Sequence, residues 1–75
     1  MVLPFYILIH AEKGQGDFVA QEANKIKGVK MAHHVTGSFD VILYAEADDF
    51  SDIRRLREAI FTIKNVIRTE TAIHV

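Results

Sequence analysis

Ile26-Lys27-Gly28-Val29 recurs half a chain later as Ile63-Lys64-Asn65-Val66. Each copy follows a stretch with helical spacing and precedes a strand-like one. Gly and Asn are the two residues that best tolerate the left-handed position just past a helix end, so exchanging one for the other keeps the physical role. The two tetrapeptides therefore mark two similar halves, each predicted to run strand–helix–strand.

Around Gly28, Val19, Ala23 and Ile26 fall at i, i+4 and i+7. That spacing predicts a helix from an N-cap at Asp17 to about Lys27, ended by Gly28. Glu12–Gly16 reads as a loop, and Leu3–Ala11, rich in Phe, Tyr and Ile, as the first strand. Pro4 belongs at its start, where a missing N–H does no harm. Beyond Gly28 come a strand over about Lys30–Val35, the turn Thr36-Gly37-Ser38 and a third strand over Asp40–Glu46, together a hairpin. Around Asn65, the residues Phe50, Ile53, Leu56, Ile60 and Ile63 line a second helix capped by Asp49, with Asp52 near its positive end. Val66–Val75 is the last strand. The order β-α-β-β-α-β with right-handed crossovers is an α+β ferredoxin-like sandwich: a four-stranded antiparallel sheet with two helices on one face.

This layout collides with the residue pattern in one respect. A sheet with helices on one face should alternate apolar and polar residues. In the first strand Phe5, Ile7 and Ile9 oppose Tyr6 and Leu8, and in the third Val41 and Leu43 oppose Ile42 and Tyr44. Both faces are apolar, and no segment is left over to cover the second. A domain of 75 residues is also marginal alone, burying only about 60% of its unfolded surface. A second copy against the open face answers both points, so a homodimer at least is expected.

Composition removes several function classes. Nine Lys and Arg against ten Asp and Glu give a net charge of −1, no basis for nucleic acid or an anionic membrane as a main partner. Cysteine is absent, which excludes disulfides, thiolate metal sites and cysteine nucleophiles. Small secreted domains usually depend on disulfides, so a cytoplasmic location is expected. The longest apolar run, Phe5–Ile9, is too short for a membrane span or a signal-peptide core.

Candidate chemistry is sparse. Gly14-Gln15-Gly16 stands where a phosphate loop would, but the third glycine and any GK[ST] are missing, so a plain turn is expected. His33 and His34 are neighbours on a strand and point to opposite faces. His10 and His74 fall at opposite ends of an antiparallel pair, so no metal site within one chain is expected. Ser38 and Ser51 lack a histidine and an acid at useful spacing. Asp48 and Asp49 form a carboxylate pair, but the second reads as a helix cap. Arg54, Arg55 and Arg57 stand among Asp52 and Glu58 as a solvated, ion-paired face. The turn Gly37-Ser38-Phe39-Asp40 offers more. Its glycine permits positive φ and leaves amides accessible to a carboxylate, and Asp40 can accept from an ammonium group. A zwitterion wants both. An ordinary hairpin turn with Asp40 bonding its own loop is the simpler reading of the residues alone.

Val35-Thr36-Gly37-Ser38-Phe39-Asp40-Val41-Ile42-Leu43, with Gly28-Val29 before it and Val66, Thr69 and Thr71 after it, resembles the effector (RAM) domain of Lrp/AsnC transcription regulators over essentially residues 1–75. The family's glycine after the second helix is Asn65 here. The resemblance implies a non-enzymatic domain, without cofactor or metal, that binds an amino acid between neighbouring dimers of a ring-like oligomer. Matched residue by residue, it implies Gly37, Ser38 and Asp40 on the ligand-facing turn, His34 close by, and Thr71 and Ala72 on the other side. It tips Asp40 toward ligand contact. Full-length members carry a helix-turn-helix before this domain, whereas this sequence opens on the first strand. A stand-alone effector domain, possessing no DNA contact of its own and joining full-length regulators, is therefore the expectation. A dimeric cofactor-free enzyme of the same fold, using a histidine in a cleft between sheet and helices, and a purely structural oligomerisation module are the alternatives.

Overall fold

The computed structural model describes residues 2–75. Its elements run β1 (Leu3–Ala11), α1 (Gly16–Ala23), β2 (Val29–His34), β3 (Val41–Ala47), α2 (Phe50–Phe61) and β4 (Val66–Ile73). The four strands form one antiparallel sheet in the order β2-β3-β1-β4. This is the α+β ferredoxin-like arrangement expected from the repeat.

The two halves match bond for bond at their helix ends. Gly28 has φ +101° and Asn65 φ +76°, the only non-glycine residue with positive φ among those described. The Val29 N–H donates to the Ile26 carbonyl at 3.1 Å, and the Val66 N–H to the Ile63 carbonyl at 3.4 Å. The Gly28 carbonyl then accepts from Glu46 N at 3.1 Å, and the Asn65 carbonyl from Glu12 N at 2.8 Å, so each turn is tied to a strand end of the sheet. The left-handed residue ends the helix and returns the chain to the sheet in both cases.

The starts of the helices differ. Asp49 caps α2 by accepting from Asp52 N at 2.9 Å, while the Asp52 carboxylate accepts from Asp48 N at 3.1 Å. Asp17 does not cap α1. The cap position is Gln15, which makes no side-chain cap bond, and Asp17 sits inside the first turn, accepting from Gln21 Nε2 at 3.1 Å. Helix α1 also ends earlier than expected, at Ala23. The reason is tertiary: the Asn24 amide donates to the carbonyls of Ala20 and Ala32 and accepts from Ala32 N at 3.1 Å. Asn24 thus supplies the outer edge of β2 with the pair of bonds that another strand would give.

The core lies between the helices and the sheet. Phe5, Ile7 and Ile9 from β1, Val41, Leu43 and Ala45 from β3, Val19 and Ala23 from α1, and Leu56 and Ile60 from α2 are all fully buried. Ile63 packs against this cluster from just beyond α2. Phe50 does not belong to it and is 69% exposed, because the stripe that meets the sheet begins one turn later at Ile53. The opposite face of the sheet carries no helix. Register places Met31, Tyr44, Tyr6 and Ala72 in one row across it, and His33, Ile42, Leu8 and Glu70 in the next. Tyr6 is 42% exposed, Leu8, Ile42, Tyr44 and Met31 are half-buried, and the Tyr6 and Tyr44 rings lie 5.2 Å apart.

Candidate functional site

The hairpin between β2 and β3 is held by its ends. Val35 N donates to the Asp40 carbonyl at 2.8 Å, and Asp40 N donates to the Ile9 carbonyl at 2.9 Å. The Asp40 side chain extends this ladder, one carboxylate oxygen accepting from Ala11 N at 2.8 Å. Asp40 therefore fixes the turn to the C-terminal end of β1, and its second oxygen has no hydrogen-bond partner among the described residues. Gly37 has φ +113° with no atom within 4 Å of the place a Cβ would take, so it is required there by backbone conformation and not by crowding. Ser38 is exposed beside it.

His34 lies on the helix side of the sheet, paired with Val41. A Cβ on Gly16 would come within 2.5 Å of its ring, so the imidazole rests directly on the first residue of α1. His33 pairs with Ile42 on the open face, and the two histidines do point to opposite sides. His10 pairs with Arg68, whereas His74 bonds through its N–H to the Pro4 carbonyl at the far end of the sheet. Among the described residues no group of three or more His, Asp or Glu is placed to hold a metal ion.

Thr71 and Ala72 are not brought to the turn within one chain. Thr71 pairs with Ile7 on the helix side and Ala72 with Tyr6 on the open side. With strands about 4.8 Å apart and a rise of about 3.3 Å per residue, two strands across and three residues along put Thr71 about 14 Å from Asp40. His34, Gly37, Ser38 and Asp40 gather at one end of the sheet, and Thr71 and Ala72 lie beyond the reach of a single amino acid's main-chain groups.

The structure adds three residues at the turn that the spacing of the sequence does not reveal. Phe39, inside the turn, packs its ring on that of His10, with centroids 4.4 Å apart. His10 Nε2 in turn lies 2.9 Å from Arg68 Nη2. Guanidinium has no acceptor, so Arg68 donates, Nε2 carries the lone pair and the proton sits on Nδ1. The sequence signals that the first and last strands pair, but not the register, broken by an irregularity between His10 and Ala11, that sets His10 opposite Arg68.

Elsewhere the charges are structural. Arg55 Nε donates to Asp52 at 2.7 Å, which together with the Asp48 N–H holds the Asp52 carboxyl below its usual range. The Tyr44 hydroxyl donates to Glu46 at 3.0 Å, and that bond to a carboxylate raises the phenol. Between helices and sheet the space is filled by fully buried side chains. The clefts of about 400 and 470 Å³ lie elsewhere, one beside Phe18, Ile26 and Ile63, the other beside Lys27, Lys30 and Arg55. No helix among the described residues is long and apolar enough to cross a membrane.

Comparison with known proteins agrees with this fold. A protein from Thermus thermophilus superimposes with a TM-score of 0.91 at 19% identity, over 97% of this chain and 92% of that one. A hypothetical protein from Pyrococcus horikoshii gives 0.87 at 28% identity, over 100% and 90%. A transcriptional regulator from Neisseria meningitidis, solved as its L-Met complex, gives 0.83 at 17% identity, over 97% of this chain but 49% of that one. No curated protein matches the chain significantly. The model of the Lrp/AsnC ligand binding domain matches residues 5–75, and the chain belongs to that family.

Proposed function

We propose that the chain is a non-enzymatic effector domain that binds a free amino acid and assembles into dimers and larger rings to act in transcriptional regulation. The family match over residues 5–75 carries the reading. The turn supports it with groups for both ends of a zwitterion: amides beside Gly37 and Ser38 for the carboxylate, and the unpartnered oxygen of Asp40 for the ammonium. The Neisseria regulator's L-Met complex gives a precedent in a similar fold. The distance of Thr71 and Ala72 from the turn fits a site shared between copies, in which these two residues come from a neighbour.

The mechanism is linkage. An amino acid held between dimers stabilises one assembly over another, by no more than its differential affinity for the two. With a net charge of −1 these residues have little to offer duplex DNA. Contact with DNA belongs to the full-length regulators with which the domain would form mixed oligomers in the cytoplasm. A ligand that binds only the native state raises its melting temperature, so a thermal-shift screen of the free amino acids tests the reading directly. Saturable stabilisation by one or a few of them is expected. No shift with any amino acid, in a protein that still oligomerises, would leave only a structural module.

A further inference from the structure

We infer that the Gly37–Asp40 turn selects an amino acid with a carboxylate side chain, recognised by Arg68. The inference rests on the effector reading above and names the ligand class for that same site. Arg68 stands on β4 opposite His10, and one of its nitrogens donates to His10 Nε2 at 2.9 Å. The His10 ring packs on Phe39, which lies between Ser38 and Asp40 in the turn itself. Turn, Phe39, His10 and Arg68 thus form a continuous chain of contacts, with Phe39 and His10 as positioning residues that link the guanidinium to the turn.

The charge of Arg68 is uncompensated. The ion pairs among the described residues are Lys25 with Glu22 and Arg55 with Asp52, and the side-chain partner of Arg68 is the His10 imidazole and no carboxylate. Glu70, on the same face of the same strand, makes no ion pair with it. Arg68 stands at the margin of the open face at the turn's end of the sheet, is exposed in the single chain, and uses only one of its five N–H donors. A fixed planar fork with free donors matches a carboxylate in two-point fashion, and it repels a cationic side chain. With the turn's amides and Asp40 taking the ligand's main-chain groups, the group left to meet Arg68 is the ligand's side chain.

The test is calorimetric titration of the 75-residue protein with L-aspartate, L-glutamate, L-asparagine and L-glutamine at one fixed ionic strength. Expected is binding of at least one acid about ten- to a hundred-fold tighter than its amide. Arg68→Gln should weaken the acid far more than the amide and so collapse that ratio, and Arg68→Lys, with charge but no fork, should reduce it. Arg68 lies exposed on an edge strand, so these variants keep the core, and unaltered melting curves verify it. An amide that binds as tightly as its acid, or a preference that survives Arg68→Gln, overturns the inference while leaving the effector reading standing. Failure of all four to bind overturns the inference as well, while only the absence of any shift in the full amino-acid screen overturns the effector reading.

Discussion

Phe5, Ile7 and Ile9 on one side of β1 and Tyr6 and Leu8 on the other are all apolar or aromatic, yet the first three are fully buried and Tyr6 is 42% exposed. The difference comes from topology. Both helices pack on the same side of the sheet, so half of the apolar side chains find cover within the chain and half do not. The row His33–Ile42–Leu8–Glu70 has an apolar middle with polar margins, and the row Met31–Tyr44–Tyr6–Ala72 is apolar or aromatic from edge to edge. A second copy against this face, as proposed, would cover those apolar side chains. The two edges of the sheet repeat the contrast. At β2 the Asn24 amide closes the edge at Ala32, while no side chain among the described residues bonds the outer backbone of β4.

The comparison can be broken from the covered side first. Leu43→Ala should cost roughly 2–5 kcal/mol, since its side chain is fully buried between helices and sheet. Denaturant unfolding measures it, and a loss under about 1 kcal/mol would mean that the covered face is loosely packed. Asn24→Ala comes next. It leaves Ala32 N–H and C=O without partners on the edge and should cost about 1–3 kcal/mol by the same measurement. On the open side, Leu8→Glu should weaken dimerisation at least about tenfold while shifting monomer stability by no more than about 0.5 kcal/mol. A comparable loss of monomer stability would show that Leu8 works as core.

The smallest effect belongs to Tyr44. Its hydroxyl donates to Glu46, so its folded-state pKa lies above the ordinary value near 10. A raised pKa contributes stability that is present below the unfolded value and is lost as pH rises through the folded one. Ultraviolet titration of tyrosinate should show a step that Glu46→Gln moves back toward the ordinary range. An identical titration in the variant would mean that the bond is absent in solution.

Where the local pattern and the tertiary structure agreed, the sequence was legible. Gly28 and Asn65 both mark helix ends because the left-handed conformation is a local requirement. The doubly apolar β1 and β3 appeared in simple alternation. The end of α1 was hidden because Asn24 spends its amide on Ala32, a partner in the next element, where the apolar spacing through Ile26 suggested a helix to about Lys27. The cap of α1 was misread because Asp17, a good capping residue, lies two positions past the point where the chain turns at Gln15. At the site, Gly37 and Asp40 were legible as a turn with amides and an acid. Phe39, His10 and Arg68 were not, because their meeting depends on the register of β1 against both β3 and β4, which joins residues far apart in the chain.

Sedimentation velocity on the wild-type protein and Leu8→Glu, side by side at micromolar concentration, tests most directly whether a second copy covers the open face. The wild type should sediment as a dimer or a multiple of one, and Leu8→Glu should fall toward the monomer. A wild-type protein that sediments as a stable monomer, with Tyr6, Leu8, Ile42 and Tyr44 left facing water, would contradict the account.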